Sequence, residues 1–151
     1  MADNDGLVIS LSTPLWKIMI RNVLTVQVND PVSTVDRLMK DHPIHHVPVV
    51  DGEALQGVIT QRDLYRNMLS VAYYEEDGEE QHSFLDNFTD IRGIMTQDPL
   101  TLSPDQTLGE ALNLMLEYRI GCIPLVNDRN ELEGIVTDSD VIRLFWKKLL
   151  D

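Results

Sequence analysis

The sequence predicts an α/β fold made of two β-α-β-β-α repeats packed about a pseudo-twofold axis. Three observations carry that expectation. The phrase "IHHVPVVDGEALQGVITQRDLYR", starting at Ile44, returns at Ile120 as "IGCIPLVNDRNELEGIVTDSDVIR". Without any gap, Ile18-Met19 falls on Ile94-Met95, Leu38-Met39 on Leu114-Met115 and Pro48 on Pro124, all 76 positions apart. One extra residue then enters the second copy's turn, and Gly57, Thr60, Asp63 and Arg66 match Gly134, Thr137, Asp140 and Arg143 at 77. Self-similarity at a fixed period marks a duplicated supersecondary unit. One unit of this shape leaves a sheet face bare, and two packed face to face would bury it.

Each copy opens on a short strand, "VLTVQV" or "PLTLS". The first helix is expected after Asp30-Pro31 in one copy and after Ser103, before "PDQTLGEALNLMLEY", in the other. Asp or Ser ahead of a proline-bearing first turn suits a capped start. In the second copy Leu108, Ala111, Leu112, Met115 and Leu116 recur at helical steps and should form one buried stripe. Two apolar runs follow in each copy, "HVPVV" and "QGVIT" around the turn "DGEA", then "CIPLV" and "EGIVT" around "NDRNE". Each pair reads as adjacent strands. Pro48 and Pro124 lie near strand starts, where a missing N–H is tolerated. The segments "RDLYRNMLSVAYY" and "DSDVIRLFWKKLL" close the copies as helices.

Met19, Met39, Met95, Met115, Tyr65 and Phe145 are expected in the core. Trp146, Leu149 and Leu150 make the last helix amphipathic, for a partner or for internal packing. The repeats are assigned to residues 12–70 and 91–150, with an acidic linker over 71–90. The like-charge run "EEDGEEQHSFLDNFTD" in that linker suits a solvated spacer and lacks the ligand order of a calcium loop.

With 12 Lys and Arg against 25 Asp and Glu, the formal charge is −13. Phosphate backbones and anionic bilayers would repel such a chain, so neither nucleic acid nor a membrane is expected as its partner. Cys122, the single cysteine, excludes an internal disulfide framework and suits a reducing compartment. The start "MADNDGLVIS" is acidic where a signal peptide is basic, and no apolar run approaches the roughly 18–20 residues of a span. A cytoplasmic location is expected.

Thr60-Gln61-Arg62-Asp63 and Thr137-Asp138-Ser139-Asp140 each end a strand and open a helix. Thr with an acid three residues on reads as a capping box. A helix start also offers N–H groups and a partial positive charge to an anion. An Asp at its edge can accept hydrogen bonds from both hydroxyls of a ribose. The copies differ in charge: the first has His45-His46 and Arg62, the second Gly121-Cys122, Asp138 and Ser139. Cations favour a phosphate beside Asp63, whereas Asp138 opposes one beside Asp140. His42, His45 and His46 crowd one loop and offer too few ligands for zinc, so no metal is expected. No Ser/His/Asp or Cys/His constellation and no Gly-rich phosphate loop is present, so catalysis is not expected.

Two copies of x-Pro-[Val/Leu]-Val-…-Gly-[Val/Ile]-[Ile/Val]-Thr-x-x-Asp, each preceded by Ile-Met, resemble cystathionine-β-synthase (CBS) domains paired in tandem as a Bateman module. The resemblance covers residues 12–70 and 91–150. It implies a regulatory sensor of adenosyl ligands (AMP, ADP, ATP, S-adenosylmethionine or NAD) that needs no cofactor, tends to homodimerise and acts on an unidentified protein target. In that family the Asp holds the ribose and the Thr lies near the phosphate, which carries over to Asp63 with Thr60 and to Asp140 with Thr137. The stretch Ile44-His45-His46-Val47-Pro48 is similar to one in the gamma subunits of AMP-activated kinases, where the His contacts nucleotide phosphate. That role carries over to His45; His46 stands where an Arg is usual. The expected ligand-binding residues are therefore His45, His46, Thr60, Arg62 and Asp63 in the first copy, and Gly121, Cys122, Thr137, Ser139 and Asp140 in the second. The alternative is a ligand-free dimerisation or interaction adaptor with the same fold.

Overall fold

A computed structural model describes residues 8–72 and 90–150, so the acidic run Glu75–Glu80 and most of the expected linker lie outside the described residues. The chain divides into two compact units. The first holds residues 22–72, 90–99 and 128–132; the second holds 8–21, 100–127 and 133–150. Repeats and units are therefore different divisions of the chain. The opening segment of each repeat folds into the unit that contains the body of the other.

The first unit contains β1 (Val26–Gln27), α1 (Val32–Asp41), β2 (His46–Asp51), β3 (Ala54–Thr60), α2 (Gln61–Ala72), α3 (Ile91–Ile94) and β4 (Thr96–Gln97). Its sheet runs β1-β2-β3-β4, with β1 parallel to β2 and the other neighbours antiparallel. Gly52, at φ 63°, makes the tight turn between β2 and β3. The second unit contains a 3-10 turn (Leu15–Lys17), α4 (Leu108–Tyr118), β5 (Cys122–Val126), β6 (Leu132–Thr137) from Glu133 onward, and α5 (Asp138–Leu150). Here the outer strands shrink to single bridges, Leu102 parallel to Leu125 and Ile20 antiparallel to Ile135. These repeat the Val26–Val49 and Thr96–Val58 pairings of the first unit at the offsets read from the sequence.

The cores are duplicated in the same register. Val32, Val35, Met39, Val47 and Leu64 are buried in one cluster, and Leu108, Ala111, Met115, Ile123 and Val141 in the other. The exchanged segments take part equally: Ile91 and Leu15, 76 apart, are both fully buried. Their crossing explains the motif glycine. A Cβ on Gly57 would come within 2.6 Å of Thr96 O and 2.7 Å of Met95 Sδ. On Gly134 it would come within 2.6 Å of Met19 Sδ and 3.0 Å of Ile20 O. Each Ile-Met segment thus lies across the glycine of the other copy.

Several expectations need correction. α4 starts at Leu108 rather than after Ser103, because Thr107 and Glu110 form a capping box and the N–H groups of Leu108 and Gly109 donate to Thr13 O and Leu11 O. The carbonyls of Pro104 and Gln106 are meanwhile taken by the N–H groups of Trp16 and Leu15. Asp30 accepts from Gln27 N–H at 2.8 Å, closing the preceding turn rather than capping α1. Leu116 is 77% exposed, since the stripe that packs inward is Leu108, Ala111 and Met115. Tyr65 and Phe145 are exposed, not core; Tyr65 Oη accepts from the Gln61 amide at 3.3 Å. Met39 and Met115 are buried as expected, while Met19 and Met95 are half-buried against the two clusters.

Cys122 is buried, and its thiol pKa is pushed up to about 12, first by burial and then by the nearby negative charge of Asp138. An unfolded thiol ionises near pH ~8.5. Above that pH the folded state keeps a proton that the unfolded state loses, so this group's stabilisation is complete below about 8.5 and declines as pH rises towards the folded value. Cys122→Ala should flatten the alkaline fall in melting temperature between pH ~9 and ~11; a slope identical to wild type contradicts the assignment. Gly57→Ala should cost about 2–3 kcal/mol in urea unfolding, because a backbone oxygen blocks the new methyl. Gly134→Ala should cost less, about 1 kcal/mol, since the flexible Met19 side chain supplies its nearest contact. The reverse order would show that the crossing segments are misplaced.

Candidate functional site

β3 runs directly into α2, with Thr60 ending the strand and Gln61 opening the helix, and β6 runs into α5 at Thr137 and Asp138 in the same way. With no intervening loop, the first turn must be capped by the Thr-x-x-Asp residues themselves. At the first joint Asp63 Oδ2 accepts from Thr60 N–H at 3.0 Å and from the Thr60 hydroxyl at 2.7 Å, and Asp63 N–H donates to Thr60 Oγ1 at 3.1 Å. At the second joint the same three bonds measure 3.3, 2.5 and 3.2 Å. Both are reciprocal capping boxes.

A backbone bond fastens the residue before each central strand to its joint. Gln61 N–H donates to His45 O at 2.8 Å, and Asp138 N–H to Gly121 O at 2.9 Å. The structure thus brings His45, Thr60, Arg62 and Asp63 together in one unit, and Gly121, Thr137, Ser139 and Asp140 together in the other. His45 Nδ1 lies 3.0 Å from Gln61 Oε1. His46 stands opposite Thr60 across the β2–β3 pairing and is half-buried. Cys122 is set apart from the rest: its thiol is buried and protonated, so that side chain serves the core while the neighbouring Gly121 carbonyl meets the joint.

The two joints differ in their charges and in what those charges touch. Asp63 is half-buried, and its Oδ1 accepts no hydrogen bond among the described residues. Arg62 and Arg66 beside it are exposed, and no ion pair holds either of them among the described residues. Asp140 Oδ1, by contrast, lies 3.7 Å from Arg143 Nη1. Asp138 Oδ1 accepts from Ser139 N–H at 2.7 Å and from the Ser139 hydroxyl at 3.4 Å. Sequence reasoning noted the charge of Asp138 but not the donor it holds. It missed Gln61, whose amide links His45 to Tyr65. The swap of Gln61 for Asp138, between turns that match at their Thr and their last Asp, was the available signal.

A half-buried carboxylate with one oxygen uncommitted among the described residues, set at a helix start with Arg62 and Arg66 close in sequence, can accept from a diol while an anion faces the first turn. Among the described residues no three of His, Cys, Asp and Glu converge on a metal position. No described helix is long and apolar enough to cross a membrane.

The family model for the CBS domain matches residues 15–70 and 91–147. An inosine-5'-monophosphate dehydrogenase from Korarchaeum cryptofilum is 38% identical over 123 residues, which span 82% of this chain but 22% of that enzyme. A CBS domain-containing protein of Dictyostelium discoideum is 29% identical over 134 residues, 88% of this chain and 91% of the relative. Among solved structures, the CBS domain pair of protein MJ0100, in complex with 5'-methylthioadenosine and S-adenosyl-L-methionine, is similar with a TM-score of 0.74 at 27% identity, over 90% of this chain and 98% of that one. Each matched stretch carries one of the duplicated Thr-x-x-Asp joints, and the chain belongs to the CBS domain family as a tandem pair.

Proposed function

We propose that this chain is a regulatory module that senses an adenosyl nucleotide of the AMP, ADP or ATP type and conveys its occupancy to a partner protein. The observation that carries this reading is the Asp63 carboxylate. One of its oxygens is fixed by the cap and the other is uncommitted among the described residues, next to a helix start and the exposed Arg62. A ribose diol can donate to that free oxygen, while a phosphate gains from the helix dipole and from Arg62 and His45. The MJ0100 pair, of similar fold, binds two adenosyl compounds, which supports the same ligand class here. The module acts without catalysis of its own, in the cytoplasm, as a homodimer, with its repeats over 12–70 and 91–150 joined by the acidic stretch.

A second reading is a ligand-free adaptor. Its support is the side of α5 that carries Ile142, Phe145, Trp146 and Leu149 at helical spacing, with Leu149 83% exposed. Thermal unfolding with AMP, ADP, ATP, S-adenosylmethionine and NADH separates the two. A ligand at 100 times its dissociation constant adds about 2.7 kcal/mol. For a chain of this size that raises the melting temperature by roughly 5–10 °C. The sensor reading expects such a rise with at least one adenosyl ligand, and its loss in Asp63→Ala when each protein is compared with its own ligand-free state. The absence of any rise leaves the adaptor.

A further inference from the structure

Among the first three backbone N–H groups of their helices, the two joints differ at a single donor. The first N–H groups of a helix have no partner inside it. At α5 the first three are all held: Asp138 N–H by Gly121 O at 2.9 Å, Ser139 N–H by Asp138 Oδ1 at 2.7 Å, and Asp140 N–H by Thr137 Oγ1 at 3.2 Å. At α2 the outer two are held in the same way, Gln61 N–H by His45 O at 2.8 Å and Asp63 N–H by Thr60 Oγ1 at 3.1 Å. The middle one, Arg62 N–H, has no partner among the described residues. The residue responsible is the first of each helix. Gln61 turns its amide to His45 and Tyr65, whereas Asp138 turns its carboxylate back onto the next N–H.

We infer that Asp138 is a specificity-determining residue, a built-in anion that takes the place of a ligand phosphate at the Asp140 joint. The second copy then accepts an adenosyl group without a phosphate, and the first takes the phosphate-bearing one. This rests on the adenosyl-binding reading and narrows it. Charge acts in the same direction as occupancy. A phosphate at α5 would meet the carboxylates of Asp138 and Asp140, with Arg143 already beside Asp140 at 3.7 Å. At α2 it would meet one carboxylate, Asp63, with Arg62 and Arg66, which no ion pair holds among the described residues, close in sequence. The favourable dipole of α5 is already spent on the Asp138 side chain.

Asp138→Gln places the first copy's residue in the second and frees Ser139 N–H. Asp138 is exposed, so the change removes no packing, and Asp138→Ala serves as a second variant should the amide find another partner. Calorimetric titration of the full chain with AMP and with adenosine is the test. Wild type should bind one AMP per chain, and Asp63→Ala should weaken AMP by tenfold or more. Asp63→Ala/Asp138→Gln should regain one AMP per chain, at least tenfold tighter than Asp63→Ala alone. The outcomes bear on different claims. Wild type that binds neither AMP nor adenosine overturns the adenosyl reading itself. If wild type binds AMP through Asp63 but the double variants with Gln and with Ala both remain inert, or if Asp63→Ala keeps one AMP, the role of Asp138 is wrong while the sensor survives. Adenosine binding without AMP binding in wild type also overturns it.

Discussion

The hydrogen bond between the Thr60 hydroxyl and the Asp63 carboxylate, repeated between Thr137 and Asp140, decides where each strand stops and its helix begins. A cap of this type contributes about 1 kcal/mol, far less than the core around it, so its importance is geometric. By holding one carboxylate oxygen it fixes the other, and a group fixed beforehand loses less freedom when a ligand arrives. The joint also needs the strand beside it, through the His45 or Gly121 carbonyl, and so every residue of the site hangs on one short turn.

That turn in its turn depends on a packed sheet, and the sheet depends on exchange. β3 of the first unit is flanked by β4, which comes from the opening segment of the second repeat; β6 is met by Ile20, from the opening segment of the first. Only glycine at positions 57 and 134 lets those segments approach so closely. The repeated Ile-Met and the repeated Gly are thus two halves of one contact, each written in the other copy.

Much of this was legible in the sequence. A three-residue spacing between Thr and Asp at the end of an apolar run determines a cap almost by itself, because every atom involved is local. The strand pairs were readable for the same reason. What escaped was decided at a distance. α4 starts at Leu108 because carbonyls of Leu11 and Thr13, over ninety positions upstream, meet its first N–H groups. Leu116, by its periodicity, and Phe145, as an aromatic, were expected inside, although the helices present those positions to the exterior. The Ile-Met offset showed repetition but not which unit each segment completes. The acidity of Asp138 was visible, whereas its grip on the Ser139 N–H needed coordinates. Arg66 and Arg143 match in sequence, yet only Arg143 approaches its carboxylate; nothing in the structure explains that difference.

The central claim is that a ligand's anion settles on the open N–H at the start of α2. An amide ¹H–¹⁵N correlation titration with AMP tests it directly. The account predicts that Arg62 shows the largest downfield proton shift, with Thr60, Gln61 and Asp63 next and Ser139 nearly still. Shifts centred elsewhere in the first unit, such as on α1, with the Thr60–Asp63 amides unmoved, would contradict it.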